Sequence, residues 1–173
     1  MEKRLRIFMI IFAVSLLVFV ISYYGYYMYI GFMWVLNDRM LMLLVSDGLF
    51  ILFLPLAIVL LLRLRSAWWL TMILFTQLFV AKIIAIFANL FLVFSGTIAE
   101  PLQWSGYVLE LIFIFVYLLI IIVFAMPSIR DFFTITLTPK QWVWRVFAGA
   151  MLLYILHFLI TMGTVYFVNP QAP

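Results

Sequence analysis

The amino-acid sequence predicts an all-α membrane protein: a polytopic bundle of about five transmembrane helices, with the N-terminus in the cytoplasm and the C-terminus outside. Three observations support this prediction, namely an apolar composition, five long apolar stretches and an uneven distribution of basic residues. Of the 173 residues, 70% are hydrophobic and 9% are charged. Soluble domains carry roughly 25% charged residues, so this composition predicts an exterior that faces lipid. We expect one domain over residues 1–173.

The five apolar stretches define the predicted helices. A helix needs about 20 apolar residues to cross a hydrocarbon core of roughly 30 Å. The stretches that meet this requirement are residues 7–30, 40–62, 67–94, 107–126 and 146–168. The first stretch is too long for a secretory leader and lacks a small-x-small cleavage site, so we expect it to stay as a helix. Residues 63–66 form so short a connection that the second and third helices should be an antiparallel hairpin.

The basic residues predict the orientation of these helices, because cytoplasmic loops are enriched in Lys and Arg. With the N-terminus inside, most of the 10 basic residues are cytoplasmic: Lys3, Arg4, Arg6, Arg63, Arg65, Arg130, Lys140 and Arg145. The tryptophans, which favour the membrane–water boundary, also fall at the predicted helix ends. Since the basic residues are dispersed among membrane segments, we do not expect a nucleic-acid partner.

The longest cytoplasmic connection is predicted at residues 127–145. Within it, Thr138, Pro139 and Gln141 have the pattern of a helix start, with a Thr N-cap, Pro at the first position and Gln at the third. Aromatic side chains are expected to hold this connection against the inner leaflet. They are Phe132, Phe133, Trp142 and Trp144.

Polar residues inside the predicted spans are the candidate ligand-site or ion-pathway residues. They are Asp47, Lys82, Asn89, Glu110 and His157. A charge at mid-membrane costs about 2.5–3.5 kcal/mol or more on insertion scales, so it usually faces a partner or a water-filled cavity. Depth along the helices favours a pair between Asp47 and Lys82, with Glu110 as a second partner for Lys82. Asn89 and Thr71 share a helical face with Lys82, and we expect this face to point into the bundle.

Each of these residues has more than one interpretation. The charges could form an ion or proton pathway or a small polar pocket open to the outside, or they could be a salt bridge that fixes helix packing. His157 could relay protons or sense pH, or be a neutral imidazole bonded to a Thr or Tyr across the bundle. The tyrosines of residues 23–29 could form an outer aromatic belt, or some could turn inward. Pro55 is expected to kink the second helix.

No pattern in the sequence predicts catalysis. The chain has no cysteine, which excludes disulfides, thiolate chemistry and Cys-bound metals. Phosphate-binding glycine loops, GxSxG and HExxH are missing, and no His and carboxylate residues have metal-site spacing. We therefore expect no catalytic residue, no metal and no cofactor.

The combined observations predict a non-enzymatic, multi-pass protein of the plasma membrane that acts as a sensor, regulator or accessory subunit of a membrane complex. Its expected partners are the lipid bilayer and either another membrane protein or further copies of itself. The alternative is a small ion- or proton-coupled transporter or channel that uses the polar cluster in the outer half. A third possibility is an intramembrane enzyme that combines Asp47 or Glu110 with His157.

Overall fold

The computed structural model describes residues 2–34, 44–45, 47–97 and 104–168. Its helices, in chain order, are α1 (Glu2–Trp34), a 3₁₀ helix (Gly48–Leu52), α2 (Phe53–Leu61), α3 (Arg65–Phe94), α4 (Trp104–Ala125), α5 (Pro127–Phe132) and α6 (Pro139–Val168). The described residues contain no β-strand. The predicted all-α class is therefore confirmed.

Four of these helices, α1, α3, α4 and α6, are long and apolar enough to cross a membrane. They contain the stretches predicted at residues 7–30, 67–94 and 146–168, and nearly all of the stretch at 107–126. Large apolar side chains cover their outer faces, among them Phe91, Phe115, Leu159 and Phe167. Such a surface is costly in water but matches the hydrocarbon of a bilayer. The number of crossings and the side of each terminus stay predictions.

The stretch predicted at residues 40–62 differs from the other four. Residues 40–43 and 46 lie outside the described part of the chain, and Gly48–Leu61 is a shorter apolar helix. Asp47 lies in the turn before the 3₁₀ helix and not inside an α-helix. Pro55 is the third residue of α2, which follows the 3₁₀ helix without a break, so it lies near the change from 3₁₀ to α geometry within Gly48–Leu61. The kink predicted there stays a prediction.

Helix α3 lies at the centre of the bundle and packs against α2, α4 and α6, while α1 packs against α2 and α5. The predicted hairpin is confirmed, since α2 ends at Leu61 and α3 begins at Arg65. In the turn, the Arg63 N–H donates to the Leu60 carbonyl and the Leu64 N–H donates to the Val59 carbonyl, each at 3.1 Å. This is the Schellman pattern that closes a helix, with Arg63 in the left-handed region at φ 54°.

Contacts between distant segments gather the basic residues at one end of the bundle. The Arg63 guanidinium lies 5.7 Å from the ring centroid of Phe132, and the Trp68 indole N–H donates to the Phe124 carbonyl at 2.8 Å. The Trp68 ring also packs edge-on against Trp142. We call this the basic end, with the residues Lys3, Arg4, Arg6, Arg63, Arg65, Arg130, Lys140 and Arg145.

Next to the basic end, the bundle is filled by an apolar plug. Its members come from α2, α3 and α4 and are almost completely buried: Leu56, Trp68, Met72, Phe75 and Phe124. The rings of Phe12 on α1 and Phe124 on α4 lie 5.3 Å apart, so α1 also closes on the plug. Dense packing of large side chains leaves little room for water at this level.

The connection at residues 127–145 begins the last long helix earlier than the predicted span. The Thr138 N–H donates to Oε1 of Gln141 at 3.4 Å, which agrees with the predicted helix start. From Pro139 the helix continues without interruption to Val168. Phe133 is buried in the core and Trp142 is half-buried, whereas Trp144 is exposed. These aromatic residues therefore divide between internal packing and the outer surface.

Candidate functional site

Beyond the apolar plug, Asp47 is held by two tyrosines of α1. The Tyr23 hydroxyl donates to the Asp47 carboxylate, and the Tyr24 hydroxyl donates to the Asp47 backbone carbonyl at 2.8 Å. The Tyr23 ring also packs edge-on against Phe50 of the 3₁₀ helix. These two tyrosines turn inward, whereas Tyr26 and Tyr29 are exposed as an aromatic belt requires.

Lys82 pairs with Glu110 and not with Asp47. Its Nζ lies 2.8 Å from Oε2 of Glu110, and the two side chains are 32% and 35% exposed. The ring of Phe113 lies below the same ammonium group, 5.6 Å from Nζ to the centroid. The favoured Asp47–Lys82 pair is therefore wrong, and the second partner predicted for Lys82 is the observed one. The physical reason is that α4 packs directly along α3, while the tyrosines of α1 already occupy Asp47.

His157 bonds to the backbone and not to a Thr or Tyr side chain. Its Nε2 lies 3.1 Å from the Val45 carbonyl oxygen. Because a carbonyl oxygen only accepts, this contact assigns the ring proton to Nε2. The bond ties α6 to the segment that leads into Asp47.

These residues surround a cavity of about 220 Å³, which we call the polar cavity. The side chains of its wall that carry polar atoms are Asp47, Gln77, Lys82, Tyr117, Tyr154 and His157. Leucine, phenylalanine and alanine side chains complete the wall.

Gln77 is the functional candidate that sequence reasoning missed. It is 1% exposed, and neither its Oε1 nor its Nε2 has a hydrogen-bond partner among the described residues. The other buried polar side chain of α3, Thr71, is satisfied because its hydroxyl donates to the Ala67 carbonyl at 2.7 Å. The sequence did carry a signal for it, since Gln77 is an amide near the middle of an apolar helix, where an unpaired polar group costs about 1–3 kcal/mol.

Asn89 does not belong to the site, and its predicted inward orientation is wrong. The residue is exposed and is not part of the cavity wall. Phe87, Phe91 and Phe94 beside it are exposed as well. The same face of α3 is therefore buried near Thr71, but no described residue covers it near Asn89.

The site thus combines three ionisable groups, a buried amide and two phenols on the wall of one cavity. Within the described ranges, no group of three or more His, Cys, Asp or Glu residues could hold a metal ion. Comparison of the chain with protein-family models, with curated proteins and with solved structures gives no match.

Proposed function

We propose that this protein is a non-enzymatic sensor or accessory subunit of the plasma membrane that binds a small polar ligand in the polar cavity. The observation that carries the proposal is Gln77, a buried amide on the cavity wall whose two polar atoms have no partner among the described residues. Sensing would require a readout partner, either another membrane protein or a second copy of the chain.

The chemistry of Gln77 defines what the ligand must offer. A buried amide left without hydrogen bonds costs about 1–3 kcal/mol, and there is no lipid group that could replace them. Nε2 needs an acceptor and Oε1 needs a donor, so the complementary ligand carries both side by side. An amide, a hydroxy acid or an ordered water cluster has this property.

The apolar plug favours binding over passage. Leu56, Trp68 and Phe75 lie between the polar cavity and the basic end, and each is at most 2% exposed. The charged groups near the cavity already have partners, since Lys82 forms an ion pair with Glu110 and Asp47 accepts a hydrogen bond from the Tyr23 hydroxyl. A conducting path would require a polar route through the plug, which its members do not offer.

Replacing Gln77 by Met tests the proposal, because the change removes the amide at similar length. If the cavity holds a polar ligand, the variant should lose thermal stability and release less of a small molecule upon denaturation, as identified by mass spectrometry. Thr71→Val is the matched control, because it removes a buried hydroxyl that is already satisfied within α3. A Gln77→Met protein that is more stable than the wild type, with an unchanged set of released molecules, would contradict the proposal.

The alternative of an ion- or proton-coupled transporter or channel is supported by the ionisable groups on the cavity wall, Asp47, Lys82 and His157. Flux into proteoliposomes under proton, sodium or potassium gradients distinguishes the two functions. Flux that disappears in Asp47→Asn or Lys82→Met would establish transport. The same preparation without any flux, but with a stoichiometric membrane protein in mild detergent, would support the accessory subunit.

A further inference from the structure

We propose a second binding site at the basic end: a pocket that takes the phosphate of an anionic phospholipid headgroup. The pocket has a volume of about 250 Å³ and lies between the N-terminus of α1 and the turn from α2 to α3. Its lining consists of Glu2, Lys3, Arg6 and Arg63. It is separate from the polar cavity and does not depend on the function proposed for that cavity.

The charges of the pocket favour an anion. Three cationic side chains and one carboxylate leave a net charge of +2 on its wall. Lys82 and Glu110 form the sole ion pair within the described part of the chain, so Lys3, Arg6 and Arg63 have no described carboxylate paired to them. Arg and Lys donors bind phosphate oxygens through charge-assisted hydrogen bonds, which are about twice as strong as neutral ones.

The backbone of Arg63 has a conformation that is uncommon for a residue with a side chain. It occupies the left-handed position of the Schellman motif at φ 54°, where glycine is the common residue because any Cβ is disfavoured. Its guanidinium is oriented by the Phe132 ring at 5.7 Å. An arginine at a position that suits glycine indicates that its side chain contributes something other than the turn.

The adjoining N-terminus of α3 adds to the attraction for an anion. Its N-cap residue is Leu64, which makes no side-chain hydrogen bond to the first turn. The first N–H groups of α3 and the positive end of its dipole begin two residues after Arg63, although the Ala67 N–H is already bonded to the Leu64 carbonyl at 2.9 Å.

The surroundings of the pocket select a lipid over a free phosphate ion. Ile7, Leu62 and Leu64 flank the basic side chains, and all three are exposed apolar residues. A phospholipid can place its phosphate among the cations and its acyl chains along these side chains, whereas inorganic phosphate contacts the cations alone. Basic pockets between transmembrane helices suit anionic headgroups in the cytoplasmic leaflet, which is where the positive-inside pattern predicts this end.

Native mass spectrometry of the full chain in mild detergent tests the site, with phosphatidylglycerol and phosphatidylcholine as probes. The wild type should retain phosphatidylglycerol in preference to phosphatidylcholine. Arg63→Gly should weaken this binding at least about tenfold, because one charged hydrogen-bond donor is lost while the turn keeps a residue suited to it. Arg145→Ala is the matched control, since it removes one exposed cation from the basic end outside the pocket.

Three outcomes would overturn the proposal. The first is equal retention of the two lipids by the wild type. The second is an equal loss in Arg63→Gly and Arg145→Ala, which would indicate diffuse attraction by the whole basic end. The third is displacement of phosphatidylglycerol by millimolar inorganic phosphate but not by chloride of the same ionic strength, which would assign the pocket to free phosphate. Retention that resists phosphate and is specific to Arg63 supports the lipid.

Discussion

The polar cavity and the basic end lie on opposite sides of the apolar plug and hold their charges in opposite ways. Around the cavity, Lys82 forms an ion pair with Glu110, and the Asp47 carboxylate accepts a hydrogen bond from the Tyr23 hydroxyl. Each charged group therefore has a partner on another segment of the bundle. At the basic end, cationic side chains sit on helix ends and turns, and three of them line a pocket with one carboxylate. The cavity wall requires internal partners because lipid supplies none, whereas water and headgroups can solvate the basic end.

This difference predicts where the chain tolerates change. A group inside the bundle that loses its partner is solvated only in part, and the loss appears as reduced stability. A cation at the basic end is already solvated, and its loss should appear in lipid binding. Substitutions in the two regions should therefore differ in what they change, stability inside the bundle and lipid binding at the basic end.

Trp68→Ala should have the largest effect, a loss of about 3–5 kcal/mol in the free energy of unfolding. Trp68 is 0% exposed, and its indole donates to the Phe124 carbonyl, so the change opens a cavity and leaves a buried acceptor unpaired. Trp144→Ala is the control from the same end, because Trp144 is 71% exposed and should lose less than about 0.5 kcal/mol. Unfolding in detergent with increasing denaturant gives both values, and equal losses would mean that the plug is not the stable core.

Lys82→Met should cost about 1–3 kcal/mol, because it leaves Glu110 without its cation. The estimate lies below that for a fully buried pair, since the two side chains are about one third exposed. Exchanging the charges as Lys82→Glu with Glu110→Lys should restore most of the loss in thermal unfolding. Exchanging the charges of Lys82 and Asp47 should not restore stability. A rescue by that second exchange would show that the Lys82–Glu110 pair is not the one that stabilises the bundle.

Tyr23→Phe should cost about 1–2 kcal/mol, because it removes the hydroxyl that donates to the Asp47 carboxylate. Tyr29→Phe removes an exposed hydroxyl and should leave the melting temperature unchanged. A difference between these two variants in thermal unfolding would show that the inward tyrosines stabilise the wall of the cavity. If the two behave alike, the Tyr23 contact contributes no stability.

Arg63→Gly should have the smallest effect on stability and the opposite sign, a gain of up to about 1 kcal/mol, because glycine adopts the left-handed conformation without strain. The same variant should lose phosphatidylglycerol binding. A gain in melting temperature together with a loss of lipid would separate the two roles of this position. A large loss of stability would instead show that the side chain is part of the fold.

The sequence predicts the local features of this fold well. The four long helices, the hairpin at residues 63–66 and the Thr138 helix start depend on neighbouring residues, and the structure contains all of them. The basic end also follows from sequence, because short turns force the ends of antiparallel helices together. Each of these features is set by apolar length or by a few adjacent residues.

The cavity depends on contacts that no local pattern contains. Whether Lys82 meets Asp47 or Glu110 is decided by which helix packs along α3, and periodicity within α3 does not carry that information. Asn89 shares a helical face with Thr71 and Lys82, but the described neighbours of α3 do not extend along the whole helix, so Asn89 is exposed. Gln77 lines the cavity although it lies outside that predicted face. Asp47 was assigned to a helix because apolar length does not distinguish an α-helix from a turn followed by a 3₁₀ helix.

Single-cysteine labelling tests the contrast between the polar cavity and the apolar plug most directly, because the chain has no cysteine to interfere. Ala81 lines the cavity, and Ala57 of α2 is completely buried. In intact cells, Ala81→Cys should react with a membrane-impermeant maleimide added from outside, while Ala57→Cys should stay unreactive. Reaction of Ala81→Cys only after the cells are permeabilised, or no reaction at all, would contradict a polar cavity that opens to the outside.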